Sequence, residues 1–155
     1  MSIIQDKDST QDRYLSQQAL YELHLFYNAL EDAVEVHFAR YGLSWPKFNV
    51  LIHLYMAGDY GLIQSELSKK LLVSRANITG LIDRLEKENL VVRNSDPSDK
   101  RTFRVCLTRR AFALMHNFLP IHNDYMHKIM SPLNSQEKEV LISLLRKLNK
   151  GLESD

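Results

Sequence analysis

Several absences limit what this 155-residue chain can be. It has one cysteine, Cys106, so no disulfide can form within the chain, which is typical of a reducing compartment. No apolar run approaches the roughly 18 residues of a membrane-spanning helix, and residues 1–9 are polar and acidic without a hydrophobic signal segment. We therefore expect a cytoplasmic protein that does not contact a membrane.

The motifs that indicate catalysis or metal binding are also missing. With five glycines in all, the chain has no Gly-rich phosphate loop, and it has no nucleophile elbow. Its six histidines include no pair at i and i+4 that would place two imidazoles on one helix face, and there is no Cys-x-x-Cys. The sequence therefore predicts neither an enzyme nor a metal site, and no cofactor.

Charge is distributed unevenly along the chain, although the formal net charge is only +1. Residues 1–61 hold four Lys and Arg against eight Asp and Glu, residues 62–110 hold eleven against six, and residues 111–155 hold five against five. A surface that binds nucleic acid gathers its cations, because each neutralised phosphate releases condensed counterions. The middle third of the chain is therefore the candidate nucleic-acid surface.

Two helices separated by a tight turn are predicted within this basic region, over residues 64–71 and 74–88. Ser74 can cap the second helix by accepting a hydrogen bond from the backbone N–H of residue 76 or 77. One face of that helix is apolar, and the opposite face carries Arg75, Asn77 and Thr79 near the helix start. A helix that a tight turn holds against its partner helix, with its polar face exposed, fits the DNA major groove. An amphipathic helix whose polar face meets only solvent is the alternative.

A charged hairpin is predicted after the second helix. Residues 90–93 and 101–107 read as strands, and residues 94–100 read as a polar turn. Beside a recognition helix such a hairpin acts as a wing, and Arg101 at its tip can enter the minor groove. Asp99 can hold that guanidinium in one orientation. The alternation of the returning strand turns Cys106 inward, which makes it a poor oxidation sensor.

Long helices are predicted on both flanks of this motif. The first starts at a capping box over residues 9–12 and ends at Gly42, and the second runs over residues 44–58 with Phe48, Leu51, Ile52 and Tyr55 buried. After the hairpin, one helix starts at Thr108 and should kink at Pro120, and a last helix starts at Asn134 with a capping box.

The apolar stripes of the flanking helices are too wide for the small central motif to cover. Residues 1–40 and 111–152 of two chains are therefore predicted to interleave. A twofold dimer also places two recognition helices about 34 Å apart, one turn of DNA. A monomer that folds its terminal helices back on itself is the alternative.

Four short motifs together resemble the MarR (multiple antibiotic resistance regulator) family. Residues 64–67 (QSEL), 82–87 (IDRLEK), 96–101 (DPSDKR) and 105–108 (VCLT) have the order and spacing of its winged helix-turn-helix, and the resemblance is specific over residues 44–108. It implies a homodimeric transcription regulator, usually a repressor, that leaves a palindromic operator when a small ligand binds or when it is oxidised. It also implies a crevice for small aromatic acids, which nearby aromatic residues could line: Phe26, Tyr41, Trp45, Phe48 and Tyr55.

The chain departs from the family pattern at two places. Ile63 stands where members usually have a Thr that caps the first helix of the motif, so this helix end needs another partner, such as Ser65 or water. Arg109 and Arg110 lie in the first turn of a helix, where the helix dipole favours acidic residues. They either point into water or meet an anionic group.

The sequence thus predicts a mostly α fold with a small β-hairpin wing. Residues 1–40 form a dimerisation helix, residues 44–108 a winged helix-turn-helix (helix-turn-helix 64–87, wing 91–107), and residues 109–152 further dimerisation helices. The expected partners are double-stranded DNA at a palindromic operator, a second copy of the chain, and a small ligand such as an aromatic or phenolic compound. The alternatives are a winged-helix module that binds protein instead of DNA, and a regulator that senses metal or oxidant. The predicted DNA contacts are Gln64, Ser65, Lys69, Ser74, Arg75, Asn77, Thr79, Arg84, Asp99, Lys100 and Arg101, with Lys70 and Arg104 as further candidates for phosphate.

Overall fold

The computed structural model describes residues 3–96 and 102–153, and for residues 3–9 it describes the backbone alone. The chain divides into two compact units, Met1–Leu107 and Thr108–Asp155. The elements in chain order are α1 (Ile3–Ala39), α2 (Trp45–Ala57), a 3-10 turn (Gly58–Tyr60), β1 (Leu62–Ile63), α3 (Gln64–Leu71), α4 (Arg75–Lys87), β2 (Val91–Ser95), β3 (Phe103–Leu107), α5 (Arg109–Ile129) and α6 (Ser135–Leu152). The predicted mostly α fold with a small hairpin is therefore confirmed.

The hairpin belongs to a small antiparallel sheet with the strand order β1-β3-β2. β2 pairs with β3 from Val91 opposite Leu107 to Ser95 opposite Phe103, so β2 extends two residues beyond its predicted end at Arg93. Asn and Ser have low strand propensity, but the cross-strand hydrogen bonds override it here. β1 was not predicted, because two residues carry no periodicity that a sequence pattern can show.

The loop before β1 passes very close to β3. Gly61 has φ +64°, and a Cβ built on it would lie 2.4 Å from the carbonyl oxygen of Val105 and 2.5 Å from the Sγ of Cys106. No real side chain tolerates such distances, so glycine is required here for both its backbone conformation and its lack of volume. Cys106 is buried, as predicted, and its thiol lies 3.7 Å from the carbonyl oxygen of Asp59.

The core of the first unit forms where α2, α3, α4 and the sheet meet. α4 buries the apolar face predicted for it, Ile78, Leu81, Ile82 and Leu85, and α3 contributes Leu67. The buried residues of α2 are Phe48, Val50, Leu51 and Leu54, whereas the predicted Ile52 and Tyr55 are only half-buried. The prediction assumed that one face of α2 is buried. Because α2 contacts α1, α3, α4 and β3, it buries residues on more than one face.

α1 starts earlier than predicted and is only partly covered. Its first helical residue is Ile3, so the predicted capping box over residues 9–12 is wrong and these residues continue the helix. Once a helix is nucleated, each added residue gains a backbone hydrogen bond, and this outweighs a local capping pattern. The end of α1 buries Val34, His37 and Phe38, whereas Leu15 and Phe26, nearer its start, are exposed.

The second unit contains two capped helices. Thr108 accepts a hydrogen bond from the backbone N–H of Ala111 (3.1 Å), and Asn134 and Glu137 form the predicted capping box with bonds of 3.0 and 2.8 Å. α5 continues through Pro120 to Ile129. In α6 no residue is buried within the described chain. None of the described helices is long and apolar enough to cross a lipid bilayer.

Candidate nucleic-acid interface

The turn between α3 and α4 is held by local hydrogen bonds. The backbone N–H of Val73 donates to the carbonyl oxygen of Ser68 (3.2 Å), and the Ser68 hydroxyl donates back to the carbonyl oxygen of Val73 (2.7 Å). Between them Leu72 adopts the left-handed conformation with φ 53° and ψ 38°. This conformation costs a non-glycine residue about 1 kcal/mol, so the tight turn is formed against a local preference.

The start of α4 presents the predicted base-reading side chains to solvent. Ser74 accepts a hydrogen bond from the backbone N–H of Asn77 at 3.2 Å, which confirms the predicted cap. Arg75 and Asn77 are exposed on the first turn. The helix N-terminus adds unpaired N–H groups and the positive end of the helix dipole. The first turn of α4 is therefore a donor-rich, positive edge.

Two other predicted contacts, Gln64 and Thr79, are bonded to each other. The side-chain amide of Gln64 in α3 donates to the hydroxyl of Thr79 in α4, and both residues are half-buried. The Thr79 hydroxyl in turn donates to the carbonyl oxygen of Arg75 at 2.7 Å. The structure thus brings these residues together within the protein.

The acidic side chains of this region are engaged within the protein, and most of its cations are not. Between residues 62 and 96 the acidic residues are Glu66, Asp83, Glu86, Glu88 and Asp96, and each accepts a hydrogen bond or forms an ion pair. In contrast, α3 and α4 carry cations that are exposed and form no ion pair with any described residue: Lys69, Lys70, Arg75, Arg84 and Lys87. The positive charge of this surface is therefore left available, because the acids on the same two helices are bonded to other groups of the protein.

Arg93, which the sequence analysis did not single out, fastens the hairpin to α4. Its Nη2 lies 2.5 Å from Oδ1 of Asp83, and its Nη1 pairs with the carboxylate of Glu86. Burial disfavours the charged guanidinium, but the hydrogen bonds and charges of the two carboxylates outweigh this and raise the pKa of Arg93. The signal in the sequence was a pair of acids three residues apart on one helix, followed by an Arg in the next strand.

Arg104, a candidate phosphate contact, is held by two groups within the protein. Its Nε donates to Oδ2 of the buried Asp96 at 2.6 Å, and its guanidinium lies 3.8 Å from the centroid of the Tyr60 ring. These interactions fix the position of the side chain, and its phosphate contact stays a prediction. The predicted tip contacts Asp99, Lys100 and Arg101 lie outside the described residues.

At the start of α3 a partial capping box replaces the cap that Ile63 cannot provide. The Glu66 carboxylate accepts a hydrogen bond from the backbone N–H of Ile63 at 2.9 Å. The reciprocal bond needs a side-chain acceptor at position 63, which Ile lacks. Ser65, the predicted alternative cap and DNA contact, lies half-buried on the first turn of α3.

The aromatic residues predicted to line a ligand crevice are partly gathered. The ring centroid of Phe38 lies 5.0 Å from that of Phe48 and 5.8 Å from that of Trp45. Trp45 is 53% exposed. The ring centroids of Tyr41 and His37 are 5.6 Å apart. Burial lowers the pKa of the His37 imidazole, and the nearby positive charge of Arg40 lowers it further. The described residues contain no group of three or more His, Cys, Asp or Glu side chains that could hold a metal ion.

Comparison with known proteins agrees with this geometry. The sequence profile of the MarR family matches residues 43–103. The HTH-type transcriptional repressor YetL of Bacillus subtilis is 34% identical over 116 residues, which cover 75% of this chain and 70% of YetL. The MepR–DNA complex of S. aureus has a TM-score of 0.76 at 21% identity, covering 84% of this chain and 96% of MepR. The organohalide-sensing regulator RdhR, bound to 2,4-dichlorophenol, has a TM-score of 0.76 at 22% identity, covering 88% of this chain and 80% of RdhR. The chain therefore belongs to the MarR family, whose members are transcriptional regulators and not enzymes.

Proposed function

We propose that this protein is a homodimeric, sequence-specific repressor that binds a palindromic operator and leaves it when a small aromatic or phenolic ligand binds. One observation carries the DNA-binding part of the proposal. The acids of residues 62–96 are bonded within the protein, while the cations of α3 and α4 are exposed without an ion pair among the described residues. A duplex phosphate backbone is the partner that such a surface fits.

Within this surface we assign two kinds of contact. Arg75 and Asn77 read base edges from the first turn of α4, since Arg suits guanine and Asn suits adenine in the major groove. Lys69 and Arg84 bind phosphate, and the Ser74 side chain caps the start of α4. Insertion of Arg101 into the minor groove, with Asp99 and Lys100 beside it, stays a prediction.

The exposed apolar residues of the long helices support a dimer. α1 exposes Tyr14, Leu20, Tyr21 and Phe26, and α6 exposes Val140, Leu144 and Leu148. Apolar residues that recur along a helix and face solvent mark an interaction site, and a second copy of the chain is the simplest occupant. A twofold arrangement presents two copies of α4 to the two halves of a palindrome.

The ligand class is proposed from a solved relative and from the local aromatic cluster. RdhR was solved with 2,4-dichlorophenol bound. In this chain the half-exposed Trp45 lies against the buried Phe38 and Phe48. Exposed aromatic surface beside a buried cluster suits a planar, apolar ligand that carries one polar group.

Selection of bound duplexes from a random-sequence pool tests the function directly. We expect the wild type to enrich a palindrome, and 2,4-dichlorophenol, used as the probe, to lower its affinity for that sequence. N77A should weaken operator binding by about tenfold and relax selection at one base pair, without changing the salt dependence. K69A should weaken operator and random DNA alike and reduce the salt slope by about one.

K128A provides the control for these variants, because Lys128 is an exposed cation in α5, outside residues 62–110. It should leave both the affinity and the salt slope unchanged. A wild type that enriches no sequence and binds random duplexes no better than serum albumin does would refute the assignment.

A further inference from the structure

The bond between Gln64 and Thr79 limits what Thr79 can do at a DNA surface. A hydroxyl group has one hydrogen to donate and two lone pairs to accept. The hydrogen of Thr79 is directed to the carbonyl oxygen of Arg75 at 2.7 Å, and one lone pair accepts from the Gln64 amide. Thr79 therefore has no hydrogen left for an acceptor on a base edge, such as O6 or N7 of guanine or O4 of thymine.

The same bond places Gln64 and Thr79 between the two helices of the motif. Gln64 is the first residue of α3, and Thr79 lies one turn after Arg75 on α4. The two helices contact each other and bury Leu67 and Ile78, but apolar packing is not directional. A hydrogen bond is directional, so it selects one rotation of α4 about its axis, and that rotation determines where Arg75 and Asn77 point.

We infer that Gln64 and Thr79 are positioning residues, whose hydrogen bond sets the rotation of α4 and thereby the sequence preference of the protein, and that the Thr79 hydroxyl does not donate to a base. The inference rests on the proposed DNA-binding function. For Thr79 it replaces the sequence-based expectation of a direct DNA contact, and for Gln64 it adds a positioning role to that expectation. It also separates two properties, since sequence preference depends on the rotation of α4, whereas phosphate binding depends on the number of cations.

A double-mutant cycle on DNA binding tests the pair. For the wild type, T79V, T79S, Q64M and Q64M/T79V, dissociation constants are measured by fluorescence anisotropy for the selected operator and for a random duplex of equal length, at several salt concentrations. We expect T79V and Q64M each to lower the operator-to-random ratio by about threefold to tenfold, the range for one net hydrogen bond. The double variant should be no worse than T79V, because the Gln64–Thr79 hydrogen bond is already absent from that single variant.

The hydroxyl-retaining variant and the random duplex supply the controls. T79S should restore the ratio to within about twofold of the wild type, because it keeps the bonded oxygen and loses only the methyl group. Random-duplex affinity and salt slope should stay constant across the set, a result that general destabilisation of the fold would not give. Urea unfolding of each variant establishes that it is folded under the binding conditions.

Two results overturn the inference while leaving DNA binding intact. If T79V keeps the wild-type ratio while T79S loses it, the methyl group reads a base, since valine keeps this methyl group and serine lacks it; if the losses of Q64M and T79V multiply, the residues act as independent contacts. A wild type that shows no preference between any duplexes overturns the proposed function, and the inference falls with it. The two failures are thus distinguished by the wild type alone.

Discussion

At the scale of single residues, Ile63 serves two structures at once. It pairs with Arg104 in the sheet and also occupies the N-cap position of α3. A β-branched apolar side chain suits a strand, but it offers no acceptor to the N–H groups at the start of a helix. Glu66 compensates for half of this loss by accepting from the Ile63 N–H.

Replacing Ile63 by Thr should complete the capping box. The new hydroxyl can accept from the backbone N–H of Glu66, and Thr keeps the branched shape that the strand prefers. I63V is the matched control, because it also removes one methyl group but adds no acceptor. We expect the free energy of unfolding of I63T, measured by urea denaturation, to exceed that of I63V by about 1 kcal/mol. Equal stabilities of the two variants would show that the cap is already satisfied.

At the scale of elements, ion pairs connect α4 to the neighbouring β2 and α2. Arg93 connects β2 to α4 through Asp83 and Glu86, and Lys47 connects α2 to the end of α4 through Glu88 at 2.7 Å. These pairs are partly exposed, so each contributes modestly, but their geometry fixes where the hairpin and the helix lie.

Removal of Arg93 should loosen the hairpin. R93L leaves the carboxylates of Asp83 and Glu86 three residues apart on one helix without a cation, and we expect it to reduce the free energy of unfolding by about 1 to 2 kcal/mol. D83N in the R93L background should recover part of this loss, since it removes the repulsion. R84L, at an exposed position without an ion pair among the described residues, should change stability by less than about 0.5 kcal/mol. Chemical denaturation monitored by circular dichroism measures the wild type and these three variants, and similar losses in R84L and R93L would contradict the assigned role.

The elements show why part of the structure could be predicted and part could not. The caps at Ser74, Thr108 and Asn134 follow from residues three positions apart, so local sequence is enough to place them. Arg104 bonds to Asp96, 8 residues away, and Gln64 bonds to Thr79, 15 residues away. Only the fold brings each residue to its partner. The start of α1 and the buried face of α2 were misplaced because they depend on propagation and on tertiary contacts.

At the scale of the whole molecule, α6 contrasts with the core of residues 1–107 in how far its apolar residues are buried. Residues 1–107 contain a core in which Phe38, Leu51, Leu67, Ile78 and Ile82 are fully buried. α6 in the other unit has no buried residue among those described. An amphipathic helix gains most of its stability from packing of its apolar face, so α6 requires a partner surface.

A charge introduced on the apolar face of α6 should therefore prevent dimer formation. Leu144 is 54% exposed in the single chain, and L144E would bury a carboxylate in the proposed interface. The neighbouring S143E introduces the same charge on the face that carries Glu139 and Arg146, where solvent accommodates it. Sedimentation velocity should find the wild type and S143E as dimers and L144E mainly as a monomer with reduced operator affinity. Dimeric L144E, or dissociation of both variants, would show that α6 does not form the interface.

The close approach of Gly61 to β3 has a consequence for genetics. A change at the first or second nucleotide of its codon always replaces glycine or stops translation, and any side chain there collides with the Val105 carbonyl and the Cys106 sulfur. The collision pushes on the strand that carries the wing. Alleles recovered in a screen for lost regulation are therefore expected to include changes of codon 61, although Gly61 is not among the proposed DNA contacts.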